Sequence, residues 1–440
     1  MCRTLFALAY GVIMFAWIGA AAANENRSTM QWDELREGFS ADASVLAFAT
    51  QQETVDDSVF NPSNRLARLP AFQFDLQARP DLQLDFRFFR VKAKPRLHLN
   101  RSWAEGVGEG DSKGTSETFL NEWQVRLGYQ DVLFVSYGRE VLLWGPGMFL
   151  SPSNPFFFDN GRSNPYRELG GTDFVQLAYI PSVQWSFSYM RNTKQGRNEE
   201  RHLEFRPIDA LKVDFTQDTY AFSGIASKSK DTRMRLGGYG QITASDSTVL
   251  YGETVLGLGS EGLYPKKVSG PVEWEMRLEK IDSDEVFHTT LVGGAYTFDG
   301  GTNLTVEYVH NREGYDEREA RDYYTLGREV SPAFSAGMPT AQLAASVLSK
   351  AIDPNLQLLR RNYLFVQVLQ NDIGSVLDLN LRYTHNLDDS SGFFVLLASL
   401  DIGERYQMFG LAAINRGHPE SEFGRILDYQ TILGIKVIVQ

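Results

Sequence analysis

The chain has 440 residues, of which 43 are Lys or Arg and 55 are Asp or Glu, for a formal net charge of -12. An acidic surplus of this size argues against a nucleic-acid partner. The only cysteine is Cys2, so the chain beyond it has no disulfide, thiolate metal ligand or cysteine nucleophile.

The N-terminus starts basic at Arg3, runs apolar from Leu5 to Ile18 and ends in small residues up to Ala23. Residues 1–23 therefore read as a secretory signal peptide. No later stretch is apolar for the ~18 residues that a membrane helix needs. Residues 24–43 read as a polar lead-in, with a weak amphipathic patch around Trp32–Phe39.

From 44 onward the pattern changes to period two, as a half-buried strand requires. Val45–Thr50 is a first strand. Phe72, Phe74 and Leu76 alternate with Gln73, Asp75 and Gln77. Arg79-Pro-Asp81 reads as a tight turn, after which Leu82, Leu84, Phe86 and Phe88 continue on the apolar face, with the strand reaching about Asn100. Residues 105–117 are Gly-rich and acidic, and read as a mobile loop. Trp123, Val125, Leu127 and Tyr129 alternate with Glu122, Gln124, Arg126 and Gly128, and Val132–Tyr137 repeats the pattern.

Further strands are expected at 172–179, 183–190, 200–206, 211–226, 232–242, 248–258, 272–281, 286–298 and 302–310. The clearest is 272–281, where Val272, Trp274, Met276 and Leu278 alternate with Glu273, Glu275, Arg277 and Glu279. Residues 311–360 interrupt the pattern with a charged start and a short helix over Pro339–Ile352. Four or five strands close the chain.

An apolar face on nearly every strand, aromatics at strand ends and a secretion signal together describe an all-β transmembrane antiparallel barrel with a greasy outside. The raw count is nineteen candidate strands. Single-chain bacterial barrels have even numbers, so the expectation is 18, with 16 as the alternative. Tracking short turns against long loops from both ends places the counting error within 200–300. Outward-facing residues are predicted to be Phe72, Phe86, Trp123, Leu127, Trp185, Trp274, Met276 and Leu379. Predicted inward charges are of both signs: Asp75, Asp85, Arg87, Glu122, Arg126, Glu273, Arg277, Glu279, Asp378 and Arg382. A charged inner wall implies a wet lumen.

The six histidines have no metal-ligand spacing. His310-Asn311, His385-Asn386 and Asp388-Asp389 are the only pairs suggestive of catalysis, and each fits a strand end or turn better. No catalytic residue, cofactor or metal is expected, and the chain does not read as an enzyme.

The most distinctive motif is Gly138-Arg-Glu-Val-Leu-Leu-Trp-Gly-Pro-Gly147, followed by Ser151-Pro-Ser-Asn-Pro155. The stretch 139–171 is far longer than an ordinary hairpin connection. It joins turn formers to the run Phe156-Phe-Phe158 and to charges of both signs. Three consecutive Phe need something to pack on. One reading folds the stretch into the lumen, packs the Phe run on the inner wall and sets the narrowest point, with Arg139, Glu140, Trp144, Asp159, Arg162, Arg167, Glu168, Glu122, Arg126 and Arg87 as constriction candidates. The other leaves it at the rim, with Trp144 as a belt aromatic. If the strand register continues through Gly138, Glu140 points inward and Arg139 outward.

Gly138-Arg-Glu-Val-Leu-Leu-Trp-Gly145 with Asn154-Pro155 resembles the "G-R-Q, then W-G, then N-P" stretch of porin-like outer-membrane barrels of Gram-negative bacteria, similar in outline to alginate-export barrels. Glu140 stands where that pattern has Gln. The chain ends Val439-Gln440 where such barrels usually end on an aromatic, a departure that weakens the signal for the outer-membrane assembly machinery. The resemblance implies a barrel that passes or exports solutes; the leading expectation is a channel for small hydrophilic or anionic solutes, with a polysaccharide export or assembly pore, an outer-membrane hydrolase and a structural barrel as the alternatives. Its surroundings would be outer-membrane lipid. The sequence says nothing about oligomeric state.

Overall fold

A computed structural model describes residues 34–105, 112–157, 159–198, 205–230, 232–336 and 339–439. The signal-peptide expectation lies outside them. Eighteen antiparallel strands form one closed sheet. The first eleven are β1 (Phe39–Thr54), β2 (Phe72–Phe86), β3 (Phe89–Trp103), β4 (Ser112–Tyr129), β5 (Leu133–Glu140), β6 (Thr172–Tyr179), β7 (Trp185–Lys194), β8 (Ile208–Thr216), β9 (Tyr220–Ser229), β10 (Arg235–Ser245) and β11 (Thr248–Leu258). A separate two-stranded hairpin follows, β12 (Tyr264–Lys267) with β13 (Trp274–Arg277). The sheet resumes with β14 (Val286–Thr297) and β15 (Asn303–Asn311). Helices α1 (Glu317–Ser335) and α2 (Ala341–Ile352) come next. β16 (Asn362–Ile373), β17 (Leu377–Asn386), β18 (Gly392–Ile402), β19 (Tyr406–Arg416) and β20 (Leu427–Val439) complete the barrel, and β20 pairs with β1.

Connections alternate in length. Eight of two to five residues lie at one end, and nine of five to fifty at the other. Outer-membrane barrels keep short turns on the periplasmic side and long loops outside, so 312–361 is extracellular. Closure leaves no free sheet edge, so every strand finds two partners.

The strand phases follow the period-two pattern. Phe74, Leu76, Val125, Leu127, Leu177, Leu256 and Leu381 are exposed on the outer face. With Tyr129, Tyr179 and Trp185 near the short-turn end, they make the apolar band and aromatic girdle of a barrel embedded in the outer membrane.

The differences from the sequence reading have local causes. Arg79-Pro-Asp81 is the middle of β2, and the turn comes eight residues later, where Arg87 takes φ 50°. Pro80 and Pro95 lie opposite each other, so the β2–β3 ladder has a gap between Ala78↔Leu97 and Leu82↔Ala93. Arg96 fills the gap, donating Nη1 to the carbonyls of Pro80 (2.7 Å) and Pro95 (2.9 Å). β1 begins at Phe39, inside the stretch read as a lead-in. β4 begins at Ser112, inside the stretch read as a loop.

The expected strand 211–226 is two, β8 and β9, split by 217–219. The expected strand 200–206 lies mostly outside the described residues. The stretch 272–281 is not a barrel strand at all. Trp274 and Met276 face no lipid; they are 6% and 3% exposed in the core of an extracellular cap. Glu273, Arg277 and Glu279 accordingly belong to the cap and not to the pore wall.

The cap unites four connections. Phe60 from the β1–β2 connection, Tyr264, Trp274 and Met276 from the hairpin, and Tyr315, Tyr323, Leu326 and Leu348 from 312–361 share one apolar core. Helix α1 starts in a capping box in which Asp316 accepts from Arg318 N and Glu319 N, while Glu319 accepts from Asp316 N. The β19–β20 connection supplies Arg425, which donates to the Tyr323 hydroxyl, and Glu420, which pairs with Arg328.

Candidate functional site: a loop across the lumen

The connection 141–171 leaves β5 without a bulge. Gly138 permits this, because a Cβ there would come within 2.0 Å of Trp123 O. Register continues, so Glu140 points inward, where it accepts from Gln124 and Gln176 at 2.9 Å. Arg139 points outward and pairs with Asp173 at 2.6 Å.

The loop then contacts three sectors of the inner wall. On the near side, Phe156 and Phe157 are buried against Phe174, Met190, Ile208 and Ala210, with Trp144 beside them. Phe158 lies outside the described residues. Asn154 fixes this turn by donating to Leu142 O (2.8 Å) and accepting from Phe156 N (3.0 Å).

On the far side, two buried wall carboxylates grip the backbone. Glu307 of β15 accepts from Met148 N (2.6 Å), Phe149 N (2.8 Å) and the Tyr251 hydroxyl (2.5 Å). Glu253 of β11 accepts from Ser151 Oγ (2.5 Å), Ser153 N (2.9 Å) and Ser153 Oγ (2.6 Å). Arg382 of β17 donates to Met148 O at 2.9 Å, and Phe149 stacks on Phe365 with centroids 5.5 Å apart.

In the third sector, Tyr166 stacks on Phe409 at 3.7 Å and bonds Ser399 and Gln407. Arg96 forms a two-point bond with Glu168, both arms at 2.7 Å, and also reaches Asp81 at 2.7 Å. Arg79 lies 3.7 Å from Glu168. Beside this sector is a cavity of about 280 Å³. Arg79, Arg96, Lys436, Asp81 and Glu168 bring three basic and two acidic side chains to its lining.

The predicted constriction residues are used in different ways. Arg162 braces the loop itself, donating to the carbonyls of Gly145, Pro146 and Gly147. Arg167 pairs with Asp159 at 2.9 Å within the loop. Glu122 pairs with Lys94 at 2.7 Å on the wall, and Arg126 lies over the Phe134 ring at 3.9 Å. Arg87 is displaced from the group. It sits in a short-end turn and pairs with Glu34 at 2.8 Å, because the strand ends where it was expected to continue.

Sequence reading missed Arg79, Arg96, Tyr166, Glu253, Glu307 and Lys436 as site residues. The signal was present for Glu253 and Glu307, each an acid on the inward face of an otherwise largely apolar or small-residue strand. Arg79 was lost to the turn assignment. Among the described residues no group of three His, Cys, Asp or Glu is placed to hold a metal ion.

No family model and no curated protein matches the sequence. Solved structures do share the fold. OprD from Pseudomonas aeruginosa superposes with a TM-score of 0.53 at 10% identity, over 92% of this chain and 96% of that one. OccK5 (OpdH) from the same organism gives 0.53 at 10%, over 92% and 99%. OccAB1 from Acinetobacter baumannii gives 0.51 at 12%, over 91% and 97%. The chain is thus an 18-stranded outer-membrane barrel with the fold of these proteins, and the likeness is not specifically to alginate-export barrels.

Proposed function

We propose that this barrel is an outer-membrane channel for passive diffusion of small hydrophilic solutes, with anionic ones favoured, and that the stretch 139–171 sets its narrowest point. The observation that carries the reading is the loop's course: it is bonded to three sectors of the inner wall and leaves a charged cavity beside Glu168. Such a loop narrows the lumen, and the charges left along the remaining path set ion preference. The surplus of basic groups at that cavity supports an anionic preference.

Conductance of the refolded full-length protein in a planar bilayer tests this. Steps of stable size with reversal potentials favouring anions are expected. Deleting Ser151–Arg162 should raise conductance. If the deletion folds and leaves conductance and ion preference unchanged, the loop is not the constriction. Passage of oligosaccharides but not of small anions would favour the export reading instead.

A further inference from the structure

We propose that Glu253 and Glu307 are positioning residues, a pair of wall carboxylates whose work is to hold the loop's Trp144–Asn154 segment across the lumen. The inference rests on the reading that this loop is the constriction, and it assigns what keeps the loop there.

Three features carry it. First, both carboxylates are buried, at 2% and 0% exposure, and among the described residues neither lies within ion-pair distance of a basic side chain. Burying a carboxylate is costly unless hydrogen bonds replace its hydration. Here most of those donors come from the loop, five of the six bonds described above. The wall alone would leave both acids nearly unsatisfied. Second, the loop backbone is shaped for the contact. Gly145 has φ +88°, and a Cβ on it would come within 2.3 Å of Glu253 Oε2, so only glycine lets the chain pass this close. Third, Glu307 takes adjacent amides, Met148 N on Oε1 and Phe149 N on Oε2, as an anion is held by successive backbone N–H groups.

The two acids differ in a way that makes the assignment testable. All three bonds to Glu253 fall on Oε1, while Oε2 is buried without a partner. A glutamine there can keep its carbonyl oxygen in the bonded position. At Glu307 both oxygens receive amide N–H groups, so a glutamine must turn its own NH₂ against one of them. Glu253→Gln should therefore keep the loop docked, whereas Glu307→Gln should release it.

Cys2 is the only cysteine of the sequence, so with Cys2→Ser in the background spin labels at Ser163→Cys in the loop and Glu404→Cys in a short-end turn report loop position directly. One narrow distance distribution is expected in the parent barrel and in Glu253→Gln. Glu307→Gln, Glu253→Ala and the loop-side double variant Ser151→Ala with Ser153→Ala should broaden it. Loss of two or more hydrogen bonds to a buried charged group shifts the docked population by a factor of about a hundred or more. The serine pair lies outside every strand, so it tests the anchor even if a wall variant fails to fold, and heat-modifiable migration on a gel reports folding. Unchanged narrow distributions in folded Glu307→Gln and in the serine double variant would overturn the proposal. A broadened distribution in Glu253→Gln equal to that in Glu307→Gln would overturn the geometric assignment. If labels move but conductance does not, the constriction reading fails and the anchor stands. If deleting the loop raises conductance but the anchor variants move nothing, the anchor fails alone.

Discussion

At the scale of single residues, Glu168 shows how the loop and the wall share charge. Burial alone would push its carboxyl up, but the hydrogen bonds from Arg96 and the charges of Arg79, Arg96 and Lys94 outweigh this and hold it below its ordinary value of 4.5. A depressed carboxyl contributes stability that is fully present above the ordinary value and is lost as pH falls through the lower, folded one. Acidification below about pH 4.5 should therefore loosen the Tyr166–Glu168 contact and expose two guanidinium groups to the cavity. The expected result is a rise in anion over cation permeability, read from reversal potentials, as pH drops through that window. Glu168→Gln should show the raised anion preference already at neutral pH and lose this pH response. Arg96 also shows why one local rule misled. Proline in the middle of a strand normally argues against that strand. Here two prolines face each other and a side chain supplies the missing donors, a compensation that depends on a residue sixteen positions away.

At the scale of elements, the period-two pattern marked out most barrel strands, because lipid and water select opposite side chains on alternate residues. Leu127→Arg, on the exposed outer face two residues from the girdle Tyr129, should cost part of the ~2–4 kcal/mol of an Arg at the bilayer midplane, and Gln124→Arg, on the inner face, less still. Urea titration of refolding into vesicles measures both. What alternation could not give was the solvent on each face. Val272–Leu278 alternates as cleanly as any strand, yet its apolar side meets α1 and α2, and its charged side meets water. An apolar stripe records burial and does not say whether lipid or protein does the burying. Trp274→Ala should consequently open a cavity worth about 3–5 kcal/mol in the cap. Limited proteolysis should then cleave 312–328 faster while the barrel keeps its heat-modifiable migration. The loop's course onto the inner wall was legible from its length and its three Phe. Its anchors were not, since Glu253 and Glu307 lie 100 and 158 residues from the Ser153 and Phe149 amides they bind and meet the loop only through closure of the sheet.

For the whole molecule, strand count and connection lengths agree with each other. The described sheet has eighteen strands: 272–281 lies outside the barrel and 211–226 divides in two, while 200–206 lies mostly outside the described residues. All of those changes fall within 200–300, where the turn parity located the conflict. The cap adds a different kind of consequence, one of order in time. The barrel closes only when its first strand meets its last. The connections next to those two strands are tied to each other, with Val55 N donating to Ile426 O at 3.0 Å and Ser58 Oγ to Arg425 O at 2.5 Å. Both then reach the same tyrosine: Phe60 stacks on Tyr323 at 4.4 Å, and Arg425 bonds its hydroxyl. Tyr323 sits on α1, which enters the chain well before the last strand is made. The cap is thus a clasp over the seam, mostly in place once 312–361 has been made and completed only when the two ends of the sheet have found each other. Prising the seam apart at that end means pulling Phe60 and Arg425 off Tyr323, so the structure that shields the mouth also locks the barrel shut.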